Sequence, residues 1–229
     1  MIDFTGNGVL SLWNGIEPSH MREYHVWHTR EHVPERVSVP GILGARRYTR
    51  LHGPLPEFLT LYALENTDVL TSAPYRTLLN NPTEWSRSMR PSLRDFMRVC
   101  CRRIHSAGGG LGSMLVVAML GDDADIQTEA MTAWVEKAVA HDAISAAHLL
   151  QRDPTVPDVP FSVGGAAPEA PQAGVILLEG YGPELFPAAA GHLASLKFGA
   201  VKDTMTTYQL AYALDRGSLA HIAPMTKKA

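Results

Sequence analysis

No run of apolar residues in this sequence approaches the roughly 18–20 that a membrane-spanning helix needs, and a membrane partner is not expected. Cysteine is scarce, and the two present, Cys100 and Cys101, are neighbours. Neighbours on a strand point to opposite faces, so they make poor disulfide partners, which suits a reducing, cytoplasmic setting. Met1 to Asn7 has neither a basic n-region nor an apolar h-region, and no secretion signal is read there. The net charge of -3 leaves no basic field for nucleic acid. Neither a dinucleotide fingerprint nor a cysteine metal cluster is present, so any activity is expected to need no nucleotide, flavin or other cofactor.

Lysine is missing from the first 108 residues, which hold 13 Arg and 10 acids; the remainder holds 7 basic and 13 acidic residues. Six of the ten histidines also fall in that first part. Arginine is the better residue for bidentate carboxylate binding, although a coding bias toward Arg accounts for the count equally well. Hydrophobic residues at 45% and charged residues at 19% give the balance of a folded globular chain.

The pattern along the chain predicts the same order of elements twice. In the first half, Gly8 to Trp13 reads as a strand, and Asn14-Gly15 as a turn. Pro18 opens a helix through MREYHVWHTREH, which Pro34 is expected to kink or end. Ile42 to Arg50, Phe58 to Leu64 and Asp95 to Ile104 read as strands, with two short helices between Val69 and Met89. The glycine-rich stretch Ser106 to Ser113 could cradle phosphate only before a helix. A strand follows it, so it reads as a linker. The second half repeats with strands at Ser113 to Leu120, Ile144 to Leu150, Val175 to Gly180 and Thr204 to Leu214. Helices are expected at Ile126 to Ala140 and Leu185 to Leu196, and residues 153–173 form a Pro/Gly/Ala loop. The fold class is therefore α+β: two tandem ferredoxin-like βαββαβ units, 1–107 and 113–229, joined by a linker at 108–112. Each antiparallel sheet leaves one face bare, and two sheets packed together as a pseudo-dimeric α/β barrel would cover both.

The chemistry-bearing feature is the first helix. At 100° per residue, His25, His28 and His32 fall within a stripe of roughly 60°. Imidazole exists in both protonation states near pH 7, so the stripe suits general acid/base catalysis, with His28, the middle one, as base. A metal site is a further reading, though no HExxH and no clear third ligand accompany the histidines, and none is assigned. A plain structural stripe, satisfied by Glu31 and Glu35, is the alternative. Trp13, Tyr48 and Tyr62 could line a substrate pocket with polar handles. Arg46 and Arg47 lie on opposite faces of one strand, and Arg47 could hold a carboxylate.

The stretch Tyr24 to Tyr48, YHVWHTREHVPERVSVPGILGARRY, resembles the EthD-like branch of the dimeric α/β-barrel superfamily. The matching elements are His32-Val33-Pro34, Pro40-Gly41 and the strand ending in Arg46-Arg47-Tyr48. The second half has no His-x-Pro after its helix, and His148 stands near the place of Arg47. The resemblance implies small, cofactor-free enzymes working between helix and sheet, among them lactone isomerases, polyketide cyclases, dehydratases and quinone-forming monooxygenases, and it also takes in haem-degrading members. The expected function is a cofactor-independent lyase, isomerase or hydrolase acting on a small oxygenated, aromatic or polyketide-like substrate. A non-catalytic ligand-binding or stress-associated barrel protein, and more distantly a His-ligated metal enzyme, are the alternatives. The expected partner is a small molecule, with a homodimer left open.

Overall fold

The computed structural model describes residues 6–121, 124–157, 173–196 and 201–222. The first half supplies strands β1 (Gly8–Ile16), β2 (Ile42–His52), β3 (Phe58–Leu64) and β4 (Leu93–Gly108). The second half supplies β5 (Met114–Leu120), β6 (Ile144–Arg152), β7 (Gly174–Gly180) and β8 (Thr206–Asp215). All eight close into one antiparallel barrel in the order β1-β3-β2-β8-β5-β7-β6-β4. Within this ring the first half runs β4-β1-β3-β2 and the second runs β8-β5-β7-β6, the same order by position. The expectation of two sheets packed face to face is corrected: β2 pairs with β8 and β4 with β6, so the sheets meet at their edges. Edge pairing occupies backbone groups that two separate sheets would leave open.

Closure gives each strand an inside and an outside, and in the most central strands both are dry. β3 and β7 are buried at every residue. Leu59, Leu61 and Ala63 of β3 fill the barrel with Leu115, Val117 and Leu177. Tyr62 and Leu64 point outward beneath the first-half helices with Val33 and Val37. Burying each such Leu or Val side chain contributes about 1.5–3 kcal/mol. The helices are α1 (Met21–Trp27), α2 (Val33–Val37), α3 (Ala73–Asn80), α4 (Glu84–Met89), α5 (Glu129–Ala138), α6 (Leu185–Leu193) and α7 (Val201–Thr204). Hydroxyl N-caps start three of them: Ser72, Thr83 and Thr128 accept from the backbone N–H of Tyr75, Ser86 and Met131. No helix among the described residues is long and apolar enough to cross a membrane.

Three local expectations need correction. The first helix does not end at Pro34. A π-helical turn, His28–His32, joins α1 to α2, and the helix runs on to Val37. The Val33 N–H bonds the His28 carbonyl five residues back. This wider turn removes the tight i−4 geometry in which a proline ring clashes. Second, Asn14-Gly15 is no turn but part of β1, where a bulge shifts the register against β4 between Trp13 and Gly15. An extra residue at a bulge mimics turn composition without reversing the chain. Third, the first-half counterpart of His148 is Arg46, not Arg47. Arg46 pairs with Leu61 at the centre of β3, and His148 pairs with Leu177 at the centre of β7.

The Pro40-Gly41 turn is a turn as expected. Gly41 has φ 88°, and a Cβ there would come within 2.4 Å of Val69 Cγ2. The loop expected at 153–173 falls mostly on residues 158–172, outside the described residues. Its first residues are fixed: Asp153 accepts from Thr67 Oγ1 at 2.8 Å, and its N–H bonds the Cys100 carbonyl.

One polar cluster interrupts the apolar barrel interior. Arg46 Nη1 donates to Glu179 Oε1 at 2.7 Å, and His148 Nε2 donates to the same oxygen at 3.2 Å. Ser106 Oγ lies 2.8 Å from His148 Nδ1. Glu179 Oε2 accepts from the Gly112 N–H at 3.1 Å, so the glycine-rich connection carries a structural bond. A Cβ at Gly112 would sit 2.5 Å from the Gly180 carbonyl oxygen. Burial alone would raise the Glu179 carboxyl, but the His148 hydrogen bond and the Arg46 charge hold it below its ordinary value.

Removing one partner of this buried pair leaves the other charge uncompensated. Glu179→Gln and Arg46→Met should each lower unfolding free energy by about 3–5 kcal/mol in chemical denaturation. The Arg46→Met/Glu179→Leu double variant should recover much of that loss. Single-variant losses below about 1 kcal/mol would show that the cluster does not hold the barrel together.

Candidate functional site

A cavity of about 50 Å³ lies outside the barrel, between the α1–α2 helix and the first-half sheet. Its floor comes from β1 (Leu12, Asn14), β3 (Thr60) and β4 (Leu93, Phe96, Arg98). Its wall is the helix, with Tyr24, Trp27, His28, His32 and Arg36. Tyr75 and Leu79 of α3, with Arg90 just after α4, form the roof. That volume holds a few waters or one small polar group.

The histidines occupy it unequally. His28 is 4% exposed, and its Nε2 lies 3.4 Å from Thr60 Oγ1. Its Nδ1 is buried with no hydrogen-bond partner, as is Nδ1 of His32. The two rings sit 5.3 Å apart, and His32 lies against Trp27 at 4.5 Å. Desolvation pushes both well below the ordinary 6.5; for His28 the charges of Arg47, His25 and Arg36 add to it, for His32 those of Arg36, His28 and Arg90. Both rings are neutral at physiological pH. The neighbouring carboxylates do not serve them: Glu31 accepts from Thr83 Oγ1 at 2.6 Å, and Glu35 Oε2 lies 3.5 Å from Arg36 Nη1.

His25 is elsewhere. It is exposed and does not line the cavity. Arg47 Nη2 donates to its Nδ1 at 3.0 Å. A straight helix would have kept all three histidines in one stripe; the π turn changes the rotation between His28 and His32 and leaves His25 off their azimuth. Arg47 is also set apart from the cavity, with its guanidinium 4.7 Å from the Tyr24 ring centroid and 5.0 Å from that of Phe58. There it buttresses Tyr24, whose hydroxyl donates to Asn14 Oδ1 at 3.0 Å. Trp13 and Tyr48 point into the barrel interior, and Tyr62 lies in the helix-side core without lining the cavity. Of the expected site residues, the structure thus brings only His28 and His32 together.

The cavity's other polar groups were not in the expected set. Thr60 sits mid-strand in an apolar run, and Asn14 was hidden by its turn-like neighbour. Arg36, Arg90 and Arg98 come from a helix, a connection and a strand, so no spacing rule joins them. The lid over the site is tied to the histidine helix by side chains: Trp27 Nε1 donates to Ser86 Oγ at 3.2 Å, and Trp85 Nε1 to Glu23 Oε1 at 2.9 Å.

No group of three His, Cys, Asp or Glu among the described residues could hold a metal ion. Haem does not fit: the cavity is far below the 300–1,000 Å³ usual for ligand sites, and the matching helix face of the second half is packed with Met131, Trp134, Val135, Leu149 and Ile176.

No protein-family model and no curated protein matches this chain. Solved structures do. An anthrone oxidase-like protein aligns over 100% of this chain and 99% of its own, with TM-score 0.59 and 9% identity. A variant chlorite dismutase from Candidatus Nitrospira defluvii aligns over 95% and 94%, with TM-score 0.54 and 13% identity. A protein from Lactobacillus acidophilus NCFM, provisionally named a monooxygenase, aligns over 92% and 97%, with TM-score 0.54 and 11% identity. At these identities the likeness is one of fold, and the chain has the dimeric α/β-barrel fold.

Proposed function

We propose that this chain is a cofactor-independent enzyme of the isomerase or lyase type, moving a proton on a small oxygenated, aromatic or polyketide-like substrate. The observation that carries this reading is His28: a buried, neutral imidazole lining a small cavity, with Nδ1 unpaired. The matching strand orders support tandem ferredoxin-like units, 1–107 and 113–229 about a 108–112 linker, with the chemistry in the first. The histidine helix, Pro40-Gly41 and Arg46-Arg47-Tyr48 support the EthD-like branch.

In the proposed step, His28 Nδ1 takes a proton from a C–H next to a carbonyl. The bonding pair moves into the carbonyl, which becomes an enolate oxygen. The neighbouring arginines stabilise that oxygen, and its charge raises the basicity of His28 as the proton arrives. Returning the proton to a different carbon completes an isomerisation. Expelling a β-leaving group and protonating it completes an elimination. His32, 5.3 Å away ring to ring, is placed to donate or orient. Apo contacts as long as 3.4 Å between His28 and Thr60 tighten in a working complex.

The test uses a panel of enolisable aryl ketones in D2O, with exchange of the acidic C–H followed by NMR. His28→Gln should slow catalysed exchange by about 10²–10⁴, His32→Gln by less, and His25→Gln little. A folded His28→Gln variant with full activity, or no catalysed exchange with any ketone, would retire the reading in favour of a ligand-binding barrel.

The neutral histidines also predict how stability follows pH. Their folded pKa values lie below the unfolded value near 6.5, so the unfolded chain binds more protons as pH falls under that value. Stability is full above pH 6.5 and is lost progressively below it. Thermal midpoints measured from pH 7.5 to 5 should fall, and the fall should be shallower in His28→Gln and His32→Gln. Unchanged slopes in both variants would mean that these rings take up protons freely in the folded state.

A further inference from the structure

The cavity beside His28 carries three arginines, Arg36, Arg90 and Arg98, and no carboxylate lines it. Arg36 is 6% exposed, and its one ion pair is with the neighbouring Glu35, whose Oε2 lies 3.5 Å from Nη1 outside the cavity lining. Arg98 is held by the Pro157 carbonyl, to which its Nη1 donates at 3.1 Å. Glu35 offsets only part of the positive charge that three arginines bring to one small space, and an anion placed among them offsets the remainder. The cavity lining is also aromatic, with Trp27 in the wall, Tyr75 in the roof and Phe96 in the floor. The space is about 50 Å³, enough for a carboxylate head but not for a ring. An aromatic body would lie against Trp27 and Phe96 once the roof residues Tyr75 and Leu79 were displaced.

From this juxtaposition we infer that Arg36, Arg90 and Arg98 form a carboxylate clamp, and that the substrate is an aromatic acid that enters carboxylate first. The inference builds on the proposed function by naming its substrate class. It assigns the carboxylate to these three residues instead of Arg47, which is turned to His25 and Tyr24. Planar guanidinium groups match a carboxylate in paired hydrogen bonds, which a lysine would not reproduce. The clamp would also fix the reacting carbon relative to His28, since both groups line one small space.

Calorimetric titration of the full chain with salicylate, its neutral isostere salicylamide, and inorganic phosphate tests the clamp. Salicylate should bind one per chain, at least about tenfold tighter than salicylamide or phosphate. Arg36→Met should abolish that preference. Arg90→Gln, at a partly exposed position where folding is less at risk, should weaken salicylate binding about tenfold, and Arg36→Lys should not restore the wild-type value. His25→Gln, outside the cavity lining, should leave salicylate binding within about threefold. Equal affinity for salicylate and salicylamide, tighter binding of phosphate, absence of salicylate binding, or retention of full affinity by folded Arg36→Met and Arg90→Gln would each overturn the clamp. Salicylate binding that depends on Arg36, together with full exchange activity in His28→Gln, would instead keep the clamp and sink the assigned base.

Discussion

A single carboxylate, Glu179, sits where the two halves of the barrel must agree. Arg46 reaches it from β2 and His148 from β6, strands that hold the same position in their respective halves. A buried carboxylate without such partners would be too costly to keep ionised. With them, it demands that both halves be present and in register. Barrel closure leaves the strands' outer faces for the helices to pack on, and the helix-facing side of the first half is where the cavity lies.

The two halves use the same arrangement for different ends. On the second-half sheet, α5 presses Met131, Trp134 and Val135 into the strands, and Trp134 stacks on His192 at 4.2 Å. That face is full. On the first-half sheet, polar side chains stand where apolar ones would pack: Thr60 in an otherwise apolar β3, Asn14 at a bulge, and His28 and His32 on the helix. Their shapes and hydrogen-bonding needs prevent close packing, and a space remains. Arg47 and Tyr24 brace one side of it, with Phe58 at 4.9 Å from Tyr24.

Much of the architecture was legible in the chain. Alternation and turn residues located all eight strands to within a few residues, because each strand's pattern reports its own two faces. Closure was not legible, since edge pairing between β2 and β8 leaves no local mark in either strand. For the site, His28 and His32 could be read from helical spacing, but His25 could not be separated from them while the helix was taken as regular. Tyr48 and Trp13 were read as pocket residues on chemistry alone; parity along their strands sends them inside the barrel, as it does Arg46 beside the outward Arg47. The arginine cluster was invisible for a different reason: folding brings Arg36 of the helix to Arg90 and Arg98, which lie more than fifty residues further along the chain.

The π turn between His28 and His32 amounts to one surplus residue in the helix. Deleting a residue there, Thr29 for instance, would let the turn close to regular α-helical spacing and keep Val33 and Val37 on the core side. Deleting one from the regular stretch before it, Val26 for instance, would instead rotate Tyr24 by about 100° away from the cavity. The alignment of this helix with its sheet is therefore stored in a count of residues as much as in their identities. A point-substitution scan of the segment would miss that dependence, whereas a set of single-residue deletions would expose it.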